Sequence, residues 1–192
     1  MARTELSPQE QLKRDISSAQ MEVKTLIDKA KLSTVQNRYS SLDTEISNLP
    51  TRIQKIRDRK YAFNKILEEQ AKSFQRQWAI KRAGIQNQIT QESNSLQNQL
   101  RPLVSRVNAL SLGSSSSVVV KTLKNELSAF STKVTASDRG VTDMFDDLDN
   151  QVSNVKSQLG RIEKTLDLCD SASFGFLPTE SVVRAVKATW TR

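Results

Sequence analysis

Ten basic residues fall between positions 51 and 82: Arg52, Lys55, Arg57, Arg59, Lys60, Lys65, Lys72, Arg76, Lys81 and Arg82. Only Asp58, Glu68 and Glu69 oppose them, so this segment holds most of the chain's formal charge of +8. Tyr61, Phe63, Phe74 and Trp78 are interleaved with these cations. Guanidinium and ammonium groups mixed with aromatic rings suit a polyanion, either nucleic-acid phosphates or an anionic lipid surface. Lys and Arg are also good helix formers, and Phe63, Phe74 and Trp78 follow the apolar phase, so a solvated or internally neutralised helix accounts for the same residues. No base-reading motif accompanies the cations, so any nucleic-acid contact would be independent of sequence.

Other reactive side chains are sparse. Asp143, Asp146, Asp147 and Asp149 cluster, but without the glycine and terminal glutamate of a calcium loop, which leaves an acidic surface patch. Cys169 is the single cysteine and cannot form an internal disulfide. The chain has no histidine, the usual proton-transfer group and commonest metal ligand near neutral pH. It also lacks a Gly-rich phosphate loop and a Ser nucleophile elbow. The expectation is a non-enzymatic protein with no cofactor, no metal and no evident small-molecule substrate.

Residues at these positions must be carried by helices. Of the 192 residues, 36% are apolar and 5% aromatic, with five glycines and four prolines. That is thin for a globular core but sufficient for narrow helical seams. Ser7-Pro8-Gln9-Glu10 is a capping-box start. Leu12, Ile16, Ala19, Val23, Leu26 and Ala30 then alternate by four and three residues. After a phase adjustment, Leu32, Val35, Tyr39, Leu42, Ile46 and Leu49 do the same. Pro50 is either a kink or a turn. Ser47-Asn48 as caps favour a break, whereas Ile53 and Ile56 keep the register. A helix from Thr51 to Ser111, about 90 Å at the usual rise, would need a partner alongside. Its seam includes polar Gln70 and Gln77.

Leu112-Gly113 and the following serines form a hairpin turn. Beyond it the seam is Leu123, Leu127, Phe130, Val134 and Val141, then, after a stutter near Gly140, Phe145, Leu148, Val152, Val155, Leu159, Ile162 and Leu166. Antiparallel pairing about the turn matches residues whose numbers sum to about 230. That would set the Asp143–Asp149 cluster opposite Lys81 and Arg82. The expected fold is all-α: an elongated antiparallel coiled-coil or helical bundle of two or three long helices with a short non-helical C-terminal tail. Its boundaries are a flexible N-terminus (1–6), a helical region kinked or broken at Pro50 (7–111), the turn (112–117), a long helix (118–170) and the tail (171–192).

In the tail, the β-branched run Ser181–Trp190 reads as a strand or as a helix with a basic face. The stretch FGFLPTESVVRAVKATWTR, Phe174 to Arg192, resembles the opening strand of bacterial GRAM or PH-like modules, which often begin with a proline-acidic turn and an apolar strand containing an aromatic. It covers 19 of 192 residues. The resemblance implies that this chain is the coiled-coil part of a longer protein, with the later strands, the closing helix and any membrane-linked role in the missing part. No segment reaches the ~18 apolar residues of a membrane span, and the N-terminus lacks the apolar core of a signal peptide. A cytoplasmic location is expected, membrane-associated if the basic segment meets lipid. The expected role is a structural scaffold that self-associates as a homo-oligomer; the alternative is a binding module for an anionic membrane or nucleic acid through residues 51–82.

Overall fold

A computed structural model describes residues 5–59 and 65–171. The described residues are all-α and form a helical bundle: α1 (Pro8–Lys29), α2 (Ser33–Arg57), α3 (Lys65–Asn108), α4 (Ser117–Asp143) and α5 (Asp146–Ser171).

The N-terminal capping box forms. Ser7 Oγ accepts from Glu10 N at 3.3 Å, and the Ser7 N–H donates to Glu10 Oε2 at 2.9 Å. These bonds occupy helix-end groups that otherwise have no intrahelical partner. The Ser7 backbone and side chain hold the Glu10 carboxyl below its usual range. Its stabilising effect is therefore complete above the ordinary carboxylate pKa and is lost as pH falls through the lowered value. An NMR titration of the Glu10 carboxyl should show this depressed midpoint. Ser7→Ala should raise this midpoint only in part, because the backbone N–H of residue 7 still donates to the carboxylate, and should cost about 1 kcal/mol through the lost cap.

The stripe before Pro50 is not carried by one uninterrupted helix. The chain leaves the helix at Ala30–Leu32, and Leu32 adopts a φ of 51°. A leucine resists this left-handed region at roughly 1–2 kcal/mol. Burial of its side chain, 2% exposed, holds it there.

At Pro50 the helix does not break. The α2 segment runs through it, with Ile46, Leu49, Ile53 and Ile56 all buried and Pro50 on the outer face. The apolar register on both sides outweighs the one helical hydrogen bond that Pro50 cannot donate. The chain instead leaves the helix after Arg57, so the single helix expected from Thr51 to Ser111 is divided between α2 and α3. Pro102 likewise lies inside α3. The expected helix 118–170 is interrupted at Met144–Phe145, placing Asp146, Asp147 and Asp149 in the first turn of α5, where carboxylates favour the positive end of the helix dipole. The α5 segment extends to Ser171. The remainder of the expected tail, including its strand and the GRAM-like stretch, lies outside the described residues.

Two compact units share these helices. The first comprises residues up to Asn37 with Gln86–Asp143, and the second Arg38–Ile85 with the chain from Met144 onward. In the first, Lys124 Nζ meets Asp15 Oδ1 at 3.3 Å, an offset of 109 residues between parallel α1 and α4. The intervening α3 segment runs the other way: Arg106 pairs with Glu126, and Ser137 Oγ donates to Glu92 at 3.1 Å. These two pairs sum to about 230, as hairpin pairing requires. Ile16, Val23, Leu26, Leu96, Val107, Leu123 and Leu127 fill this core. Ser93 enters it as a buried hydroxyl, donating to Ala30 O at 3.2 Å.

In the second unit, Lys156–Glu45 and Arg52–Glu163 both have an offset of 111 residues, so α2 and α5 are parallel. The α3 segment opposes α2 through Arg57–Glu68 and Arg82–Asp43. Thus each unit packs three helical segments, the first and third parallel and the middle one reversed.

Candidate functional site: the basic segment and its carboxylate partners

Because α2 ends at Arg57 and α3, from Lys65, runs the other way, the described part of the basic segment lies mostly on two antiparallel helices rather than one face of a single helix. Arg52, on the flank of α2 toward α5, makes a two-pronged contact with Glu163: Nε to Oε1 at 2.5 Å and NH2 to Oε2 at 2.8 Å. Hydrogen bonding to Glu163 raises the guanidinium pKa further above its ordinary value. Arg57 reaches Glu68 at 2.7 Å, and Arg59 reaches Asp167 at 2.9 Å. Arg82 meets Asp43 at 3.1 Å. Four arginines of the expected anion site are therefore already engaged by carboxylates of this chain.

Asp43 is shared. Its other oxygen accepts from Trp78 Nε1 at 2.7 Å, and the Trp78 ring lies 5.2 Å from that of Tyr39. Phe74 and Trp78 are buried core residues, so neither presents a free face for a nucleobase or lipid. Tyr61, Phe63 and Lys60 lie outside the described residues.

The remaining cations differ. Among the described residues, Lys72 has only the neighbouring Glu69, at 3.8 Å. Lys55, Lys65, Arg76 and Lys81 are exposed and have no carboxylate partner among the described residues. Lys65, Lys72 and Arg76, spaced by seven and four, share the outer face of α3, opposite buried Leu67, Ala71, Phe74 and Trp78.

The acidic cluster also finds a different partner from the one expected. Asp146 and Asp149 converge on Arg38 of α2: Nε donates to Asp149 Oδ2 at 2.9 Å, and NH2 contacts Asp146. The guanidinium lies 5.7 Å from the Phe145 ring centroid. Hydrogen bonding to Asp146, reinforced by Asp149, raises its pKa. Hairpin arithmetic compared only neighbouring legs, so it missed the parallel third helix beside α2. The recurring offset of Arg38–Asp149 and Arg52–Glu163 was the available signal, a basic residue followed 111 positions later by an acidic one.

All twelve seam residues from Leu123 to Leu166 are buried, from 0 to 6% exposed. Gln70 contributes a buried Oε1 with no hydrogen-bond partner among the described residues. Gln77, expected in the seam, is exposed and bonds to Ser73 Oγ at 3.2 Å, because its position falls beyond the core side of α3. An open groove of about 550 Å³ lies in the first unit beside the α1–α2 junction, lined by Asp28, Lys31, Leu32, Ser33, Val134 and Asp138 among others.

The Arg52–Glu163 pair, about one third exposed on both sides, gives a measurable case. A double-mutant cycle with Arg52→Ala and Glu163→Ala, followed by urea unfolding, should give a coupling of about 0.5–1 kcal/mol that weakens as salt is raised.

Among the described residues, no His, Cys, Asp and Glu group is arranged to hold a metal ion, and no helix is long and apolar enough to cross a membrane. No protein-family model, curated protein or solved structure matches the chain.

Proposed function

We propose that this chain is a non-enzymatic scaffold of antiparallel coiled-coil type, whose work is to hold a fixed helical surface and to self-associate. The observation that supports it most is the placement of the apolar seam, with Leu127, Val152 and Leu159 wholly buried within one chain. Such a core maintains helices without a ligand, and the arginine–carboxylate pairs add register rather than a reaction centre.

Because the seam is occupied internally, a homo-oligomer would be built on outer faces. The exposed Ile80, flanked by Ala79 and Ala83 on the outer side of α3, is the candidate contact. Light scattering should give a mass above that of one chain, reduced to one chain by Ile80→Arg with helicity retained. A monomeric wild type, or an assembly indifferent to Ile80→Arg, would count against self-association at this face.

A second function is favoured by the exposed Lys65, Lys72 and Arg76. In that case α3 docks on a polyanion without reading its sequence. Salt-sensitive binding to duplex DNA, abolished by K65E/K72E/R76E, would replace the scaffold assignment. Equal or absent binding in both proteins would support the scaffold.

A further inference from the structure

From Ser93 to Asn125 the chain has four basic residues and no acidic one. This stretch makes the α3–α4 end of the first unit, and its tip places large apolar side chains in solvent. Leu112 is 52% exposed, Val118 71% and Val119 48%. The 109-residue offset at Asp15–Lys124 brings Leu6, 37% exposed, level with the same turn. None of these four side chains is required by the seam, which Leu110, Val120 and Leu123 already fill.

Several polar groups of the tip bond to one another. Ser115 N donates to Ser111 O at 3.0 Å, while Ser111 N donates to Ser115 Oγ at 3.0 Å. The Ser111 and Ser114 hydroxyls share a 2.5 Å hydrogen bond, and Val119 N donates to Ser116 Oγ at 3.3 Å. A turn that satisfies part of its own backbone loses less on leaving water than an open loop does. Behind the tip, Arg106 and Lys124 are paired with Glu126 and Asp15. Arg101 and Lys121 are exposed with no carboxylate partner among the described residues, and so are Lys13 and Arg14 on α1. Besides Glu126 and Asp15, the acids at this end are Glu5 and Glu10, the latter engaged with Ser7.

We propose that this tip contacts an anionic bilayer, with Leu112, Val118 and Val119 entering the headgroup–acyl boundary and Arg101 and Lys121 lying among the lipid phosphates. A stable protein partner usually covers about 800 Å² per side, more than a few side chains on a helical turn provide. Shallow insertion combined with basic residues is enough for reversible binding to anionic lipid. This surface is separate from Lys65, Lys72 and Arg76, and the proposal does not depend on the scaffold assignment.

The test is co-sedimentation of the full chain with vesicles of phosphatidylcholine alone or mixed with phosphatidylserine. The wild type should prefer the mixed vesicles. L112S/V118S/V119S, whose altered side chains are all exposed, should keep its circular dichroism and bind the mixed vesicles at least about tenfold more weakly. R101E/K121E should also lose binding, most clearly at low salt, whereas K65E/K72E/R76E should bind as the wild type does. Three results would overturn the proposal: no binding by the wild type, equal binding by the triple-serine protein, or a loss confined to the α3 reversal. A fourth would be self-association abolished by the triple-serine change without vesicle binding, which would assign the tip to a second copy.

Discussion

Replacing Leu148 and Leu159 together with alanine is expected to unfold the second unit near room temperature. The two side chains are 3% and 0% exposed. Each truncation removes transfer energy and leaves a cavity, typically costing about 2–5 kcal/mol. They lie eleven residues apart on α5, about 16 Å, so their effects should nearly add. A loss of about 4–10 kcal/mol is comparable with the entire stability of an ordinary domain, about 5–15 kcal/mol. Circular dichroism at increasing urea should show a large drop in helicity and midpoint. An unchanged unfolding curve would mean that α5 does not contribute its apolar side to a core.

Trp78→Ala should have the next largest effect, about 3–5 kcal/mol, because it removes a core indole rather than a surface aromatic. The change also separates two roles of one side chain. Trp78→Phe retains a buried ring but removes the N–H bonded to Asp43, so it should cost less, about 1.5 kcal/mol, with Arg82 still beside the carboxylate. Equal losses in the two variants would assign the effect to the hydrogen bond, and a negligible loss in either would contradict the buried placement. Charge reversal at Lys72 or Arg76 should by comparison leave folding nearly unchanged, since both are exposed on the outer face.

Helical identity was legible because Leu, Ile and Val recur at three- and four-residue intervals throughout the described chain. Pro50 shows how far that signal reaches. The uninterrupted register of Ile46, Leu49, Ile53 and Ile56 was better evidence than the local cap residues, which favoured a break. The departure at Leu32 shows in the sequence only as a phase adjustment, since a buried leucine with positive φ has no composition cue.

The candidate anion site was less legible because charge in a sequence does not reveal its partner. Arg52, Arg57, Arg59 and Arg82 form one basic run by number. In the fold they face Glu163, Glu68, Asp167 and Asp43 across three helices. Among the described residues, Lys65, Lys72 and Arg76 have no such cross-helix partner, because they occupy the side of α3 opposite its core. Only a parallel third helix explains both the pairing of Arg38 with Asp146 and Asp149 and the misassignment of that acidic cluster to Lys81 and Arg82.

Zero-length carbodiimide coupling tests the intramolecular seam most directly, since it joins an amine to a carboxylate already in contact. Lys156–Glu45 at 2.6 Å and Lys124–Asp15 at 3.3 Å report the parallel helices of the two units separately. In an equal mixture of unlabelled and ¹⁵N-labelled protein, both cross-links should appear by mass spectrometry within chains of a single isotope. Mixed-isotope cross-links at these two pairs would place the partner helix in another molecule and contradict a seam closed within one chain.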